Sequence, residues 1–275
     1  MRQASFFKAM PAIVWQILFF YLPVGFIAAL SFWRVADRTL TLDYYINLFN
    51  PLYFLIIGRS FVLAAVTTLA CLLVGYPIAY FLGLSESRFK NVCFFFLIIP
   101  FWTNLLVLAY AWFFLLDRDG LLNMILVKLS LISQPLSLLN TPLATFLVMF
   151  YCYLPFMIMP LFTILEKFDM TLIEASRDLG ATAWQTFFKV IFPLSYRGIR
   201  TGFLVVFVPA FGEFAIPYLV GGDKQMYVGS LIMQLFLIAD QKSAGAAFTV
   251  VSCLLLLIVV GIVYKLLDCR VGDRV

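Results

Sequence analysis

Residues Glu166 to Arg197 read EKFDMTLIEASRDLGATAWQTFFKVIFPLSYR, a polar insertion of about thirty residues between two long apolar segments. Thr171 with Glu174 has the S/T-x-x-E spacing of a capping box, and Thr182 with Gln185 repeats it with glutamine. Gly180 stands between them, where a helix would end in a left-handed residue. The stretch predicts a short helix, a sharp turn and a second helix. In the second helix Trp184, Phe187, Phe188 and Ile191 recur at helical spacing, so one apolar face must be buried against something.

The sequence on either side decides what kind of chain carries this insertion. Hydrophobic residues make up 64% and charged residues 12%, with 31 phenylalanines among 275 residues; the mean hydropathy is +1.03. That lies outside the range of soluble domains. Crossing roughly 30 Å of hydrocarbon takes about 20 apolar residues in a helix, because lipid offers no partner to loose backbone groups. Six segments meet that length: 11–32, 60–84, 92–116, 142–165, 198–220 and 245–267. None alternates in polarity as a barrel strand would. The expected fold is an all-α membrane bundle, one transmembrane domain over residues 1–275, with 166–197 as a loop. The first segment follows Arg2 and Lys8 but is too long for a signal-peptide core and lacks a small-x-small cleavage site, so it reads as an uncleaved span.

Six spans place both termini on one side of the membrane. The N-terminus, the 85–91 loop, the 166–200 region and the C-terminus together hold twelve of the 19 Lys and Arg residues. The other side holds seven: Arg34, Arg38, Arg59, Arg118, Lys128, Lys224 and Lys242. Basic residues favour the cytoplasm, which puts both termini and the polar insertion there. The net charge of +5 follows from this topology and calls for no nucleic-acid partner. Cys71, Cys93, Cys152, Cys253 and Cys269 show no CxxC spacing and read as free thiols. On the outer side, Tyr44, Tyr45 and Tyr53 suit headgroup depth. The segment LLNMILVKLSLI within 117–140 suits an amphipathic helix lying on the outer surface.

The chain has no histidine, no GxSxG and no glycine-rich loop ending in GK[ST], so Ser-His catalysis, metal hydrolysis and nucleotide binding lack their residues. It is expected not to be an enzyme, and to hold no metal or cofactor of its own. Prolines punctuate the spans at Pro77, Pro100, Pro155, Pro160, Pro209 and Pro217. At PFWTN (Pro100–Asn104) and PAFGEFAIPYLVGG (Pro209–Gly222) they accompany polar residues at membrane depth. Glu213 is the one clearly intramembrane carboxylate, and near a bilayer centre it costs roughly 2.5 to 3.5 kcal/mol unless it faces the bundle interior or water. Two readings of it stand: a cation-pathway residue, or a structural carboxylate that is protonated or hydrogen-bonded to a neighbouring span. Trp102, Tyr110, Tyr153 and Tyr218 could offer ring faces to an ammonium group or simply pack, and Asn104 joins them as a polar candidate. Asp117, Asp119 and Asp223 stand at outer span ends.

Within the insertion, Glu174-Ala175-Ser176, three residues, Gly180, nine residues and Val190-Ile191-Phe192-Pro193 resemble the EAA motif of ABC importer permeases. Ser176 replaces the second alanine, Val190 an isoleucine and Phe192 a leucine; Glu174, Ala175, Gly180 and Pro193 match. Together with TLDYYINLF (Thr41–Phe49), PFWTN, ASRDLGAT (Ala175–Thr182) and Pro209–Gly222, the pattern is similar to the spermidine/putrescine transporter permeases.

That resemblance implies a six-span permease of the type I (MetI-like) importer fold. It implies a second permease, two cytoplasmic ATP-binding subunits and a periplasmic polyamine-binding protein as partners, in the bacterial inner membrane. ATP and Mg would be bound by the ATPase subunit. The coupling residues it implies are Glu174, Ala175, Ser176, Gly180, Ala181, Thr182, Trp184 and Pro193. An intramembrane enzyme and an ATPase-independent secondary transporter or channel are the rival classes. The first would need a cluster of polar residues at one depth, and Glu213 alone is not one. The second would work without an ATP-binding subunit. Permeases for ferric iron, phosphonate or sulfate are rivals within the importer class.

Overall fold

The protein, a computed structural model, is described over residues 10–34, 39–84, 88–222 and 225–272, less the side chains of 100, 101 and 266–272. Arg2, Lys8, Arg38, Asp223, Lys224 and Arg274 lie outside the described residues, as do the side chains of Pro100, Cys269 and Arg270. The chain opens with α1 (Met10–Leu30). A two-stranded antiparallel ribbon follows, β1 (Trp33–Arg34) and β2 (Thr39–Leu40), with Trp33 opposite Leu40. Then come α2 (Asp43–Asn47), α3 (Pro51–Leu84), α4 (Lys90–Trp102), α5 (Leu105–Leu116), α6 (Leu121–Lys128) and α7 (Pro142–Glu166). The insertion forms α8 (Met170–Asp178) and α9 (Ala183–Leu194). The chain continues with α10 (Tyr196–Gly212), the π-helical turn α11 (Pro217–Gly221), α12 (Val228–Ile238) and α13 (Lys242–Gly272).

Among the described residues, four helices are long and apolar enough to cross a membrane: Met10–Leu30, Pro51–Leu84, Pro142–Glu166 and Lys242–Lys265. A fifth results if α9 and α10, which meet at 59°, count as one. The segment expected at 92–116 is two helices. Thr103 and Asn104 interrupt it, and the Asn104 side chain accepts the Leu106 N–H at 2.8 Å to start α5. The segment expected at 198–220 is also broken: α10 stops at Gly212, and Glu213 is extended, with ψ 130°. The helix expected from residue 60 begins at Pro51, where the Asn50 side chain accepts the Leu52 N–H at 3.0 Å. Hydropathy measures the thickness of lipid to be crossed; caps decide where the helix starts.

The chain divides into two compact units. One comprises Met1–Ile57 and Leu231–Leu255, the other Gly58–Ser230 and Leu256–Val275. In the first, no residue of α1 is buried. Beyond α1, the Ser31 and Tyr45 hydroxyls lie 2.6 Å apart, Phe32 packs on Tyr45, and Arg34 pairs with Asp43. Tyr53 packs on Phe248 at 5.6 Å, and the Ser243 hydroxyl donates to the Trp33 carbonyl at 2.6 Å.

In the second unit α7 is the centre, with Val148, Met149, Met157, Ile158, Leu161 and Leu165 fully buried. Helices close on it where side chains are missing. A Cβ on Gly83 of α3 would sit 2.7 Å from the Leu165 Cβ, and one on Gly202 of α10 would sit 2.6 Å from the Met157 Sδ. Close backbone approach at small residues is how membrane helices gain packing energy when lipid is as apolar as leucine. Phe94 of α4 stacks on Phe162 at 4.2 Å, and Trp112 of α5 meets Tyr151 edge-on at 5.3 Å. Asn123, 1% exposed, ties down the outer loop by donating to the Asp117 and Leu136 carbonyls and accepting the Leu136 N–H. The helix expected within 117–140 is α6, which stops at Lys128. Cys71 and Cys152 are buried free thiols; Cys93 and Cys253 are exposed free thiols.

Candidate functional site

Helix α8 starts at Met170, with its N-cap two residues before Thr171, which overturns the first of the two expected capping boxes. Asp169 is the N-cap, and its carboxylate accepts both the Thr171 N–H (3.0 Å) and the Thr171 hydroxyl (2.8 Å). Aspartate is among the strongest N-caps, and with Asp169 in that place Thr171 falls inside the first turn of the helix instead of at its cap. Those two hydrogen bonds hold the Asp169 carboxyl below the usual carboxylate range.

The C-terminal end of α8 follows the sequence closely. Gly180 has φ +80°. Its N–H donates to the Arg177 carbonyl at 2.8 Å, while the Ala181 N–H donates to the Ser176 carbonyl at 3.1 Å. This pair of bonds is a Schellman motif, which needs a left-handed residue at Gly180. The second capping box is present in full. The Thr182 hydroxyl accepts the Gln185 N–H (3.4 Å), and the Gln185 side chain accepts the Thr182 N–H (2.9 Å). A hydroxyl contact between Ser176 and Thr186 (2.9 Å) pins the two helices together.

The apolar face of α9 is divided. Ile191 is 2% exposed, and Phe187 packs among the rings of Tyr76, Tyr80 and Phe192. Trp184 and Phe188 instead stack on each other at 5.6 Å and 13°, yet remain 73% and 55% exposed. Leu179, at the turn, is also exposed. Of the other residues matched to the motif, Glu174, Ala175 and Thr182 are exposed, and Ser176, Ala181 and Pro193 are half-buried. Pro193 follows the π-helical turn Phe187–Ile191, so its missing N–H falls where the regular ladder has already been interrupted.

Glu213 lies at the break between α10 and α11, buried at 9% exposure. The Tyr153 hydroxyl of α7 donates to Oε2 at 2.7 Å, and Oε1 accepts the N–H groups of Ala215 (2.9 Å) and Ile216 (3.4 Å). The carboxylate therefore caps the helical turn that follows and replaces the backbone partners lost at the break. Gly229 lets α12 approach the same break, since a Cβ there would lie 2.3 Å from the Gly212 carbonyl oxygen. Tyr153 is thus the one expected aromatic that meets Glu213. Trp102, Asn104, Tyr110 and Tyr218 have exposed surfaces, with Trp102 packed edge-on against Phe95 and Asn104 spent on its cap.

Sequence reading did not single out Tyr76 or Ser195. Their hydroxyls meet at 2.9 Å, across 119 residues of chain. No local pattern signals such a pair, because each residue alone looks like an ordinary aromatic or helix-end serine.

Membrane helices, a doubly capped hairpin with an exposed aromatic pair, and a carboxylate held inside the bundle define a transport permease that takes its driving force from outside the chain. The chain belongs to the family of binding-protein-dependent transport system inner membrane components, which matches residues 75–273. It is a multi-pass inner-membrane permease and not itself a catalyst; the ATP of such ABC importers is bound by a separate ATPase subunit. It is 40% identical over 253 residues to the spermidine/putrescine transport system permease protein PotB of Escherichia coli K12, covering 89% of this chain and 92% of that one. With the PotB of Haemophilus influenzae it shares 37% over 256 residues, covering 91% and 90%. Among solved structures, a bacterial ABC transporter involved in the import of the acidic polysaccharide alginate superposes with a TM-score of 0.79 at 16% identity, over 97% of this chain and 96% of that one. That likeness establishes the type I importer fold.

Proposed function

We propose that this chain is one of two permeases in an ATP-driven importer of polyamines, spermidine and putrescine. The reading of its solute rests on similarity to PotB over about nine-tenths of the chain. The observation that carries the mechanism is the exposed Trp184–Phe188 stack on a hairpin whose shape is fixed by Asp169, Gly180 and Thr182. An aromatic patch on a rigid support is what a docking contact requires.

Both termini and residues 166–197 face the cytoplasm, and the chain crosses the membrane six times, at about 11–32, 60–84, 92–116, 142–165, 198–220 and 245–267. Two ATP-binding subunits form the engine, one of them docking on Glu174–Pro193. A second permease completes the pathway, and a periplasmic polyamine-binding protein delivers the solute to the outer loops. Closure of the ATPase dimer moves the hairpin, and the helices rock as rigid bodies around a midplane site. In that site Glu213, positioned by Tyr153, supplies negative charge to an ammonium group. Trp102, Asn104, Tyr110 and Tyr218 line the path or its contact with the second permease.

The test is ATP-dependent uptake of labelled spermidine and putrescine into proteoliposomes holding the assembled complex, with ferric iron and phosphonate as competitors. Uptake is expected to be competed by unlabelled polyamine alone. Competition by phosphonate or iron but not by polyamine would overturn the solute assignment.

A further inference from the structure

Helix α9 runs into α10 through a bend of 59°, and Ser195 occupies the vertex with no exposed surface. Its hydroxyl donates to the Phe192 carbonyl at 2.9 Å. A hydroxyl has one hydrogen, so in the 2.9 Å contact with Tyr76 the Tyr76 hydroxyl is the donor and the Ser195 oxygen the acceptor. Tyr76 belongs to α3 and is 7% exposed. Its ring also touches α9 directly, edge-on to Phe187 at 5.7 Å and tilted on Phe192 at 5.8 Å. Tyr80, one turn along α3, meets Phe187 at 5.8 Å.

A movement of the hairpin reaches α10 along the backbone, through the 59° bend. It reaches α3 through packed rings and one buried hydrogen bond at the vertex itself. Packed side chains with discrete arrangements transmit displacement because a close-packed interior does not deform continuously. We infer that Tyr76 is the positioning residue that links the hairpin to α3, so that α3 and α10 turn together when the ATP-binding subunit moves the hairpin. This rests on reading Glu174–Pro193 as the coupling element.

The test uses the complete transporter in proteoliposomes, with Tyr76→Phe, Ser195→Ala and the double variant. Tyr76→Phe keeps every ring contact and removes only the donor; Ser195→Ala removes the acceptor together with the Ser195 bond to the Phe192 carbonyl and leaves all rings in place. Two quantities are read: the stimulation of ATP hydrolysis by the periplasmic binding protein, and polyamine imported per ATP hydrolysed. Basal hydrolysis and subunit stoichiometry are expected to stay at the wild-type level. Stimulation and import per ATP are expected to fall about fivefold in each single variant, the scale of one net hydrogen bond. The double variant should be no worse than Ser195→Ala alone, because that variant already lacks the bond to Tyr76. Wild-type stimulation in both single variants, or a double variant that loses the product of the two, overturns the inference. A purely structural role would lower thermal stability and leave both ratios unchanged. If Tyr76→Phe fails to assemble, Ser195→Ala still reads the loss of the Tyr76 bond, together with that to the Phe192 carbonyl. If the wild-type complex shows stimulation but moves no polyamine, the solute assignment fails while the stimulation readout still decides the role of Tyr76.

Discussion

Replacing Gly180 isolates the backbone conformation of the turn from everything around it. The residue has φ +80°, and a Cβ built there meets no other atom within 4 Å. A Cβ therefore has open space around it, and the cost of substitution is set by the left-handed conformation. For an ordinary L-residue that is roughly 1–2 kcal/mol, with a β-branched residue at the upper end and asparagine well below it. If only the correctly turned hairpin docks, about 1–2 kcal/mol lowers the competent fraction, and the apparent affinity for the ATP-binding subunit, roughly fivefold to thirtyfold. The expected order is Gly ≥ Asn > Ala > Val. The assay is binding-protein-stimulated ATP hydrolysis in the reconstituted complex, titrated with the ATP-binding subunit. Asparagine serves as the control for size. Were the effect a collision with the docked subunit, Asn would be worse than the smaller Ala. Normal stimulated hydrolysis with Gly180→Val, or Asn falling below Ala, would refute the reasoning.

Two further outcomes follow from the capped ends and the buried carboxylate. The folded-state pKa of Asp169 is depressed, so its capping contribution is fully present above the unfolded value of about 3.9 and is lost as pH falls through the folded value. Amide exchange in 170–173, measured by mass spectrometry, should accelerate as pH falls through that range, after correction for the intrinsic pH dependence; Asp169→Ala should show fast exchange at neutral pH already. Glu213→Gln keeps an oxygen for the N–H groups of Ala215 and Ile216 while removing the charge, so assembly should persist and polyamine uptake should fall about tenfold, the scale of one charge-assisted contact. Unchanged uptake would remove Glu213 from the pathway and leave it as a cap.

What the sequence disclosed and what it hid divide along the range of the interactions. The Gly180 turn and the Thr182–Gln185 box depend on residues within five positions of one another, and both are present. At the start of α8 two caps compete within three residues, Asp169 and Thr171, and a spacing rule cannot choose between them. The choice goes to Asp169, which takes both the hydroxyl and the N–H of Thr171. The breaks in 92–116 and 198–220 are subtler. Prolines and polar residues mark both regions, yet Pro209 lies inside α10, and the helix yields at Glu213, where a side chain can satisfy the freed N–H groups. Whether a helix breaks depends on that compensation, which for Glu213 includes Tyr153, 60 residues away. The division of the α9 face into buried Ile191, half-buried Phe187 and exposed Trp184 and Phe188 is likewise hidden from period alone, since Phe187 is covered by Tyr76 and Tyr80 from far along the chain.

The central claim is that the exposed face of this hairpin is where the driving force enters. Co-purification of the ATP-binding subunit with tagged permease, wild type against Trp184→Ala/Phe188→Ala, tests it most directly. Each ring would forfeit roughly 1.5–3 kcal/mol of burial on docking, and neither carries the Gly180 turn or the Thr182 cap. The expected result is a stable, correctly inserted permease that loses its ATP-binding subunit by tenfold or more at the order of magnitude this burial sets. Full retention of the subunit by the double variant would contradict the claim.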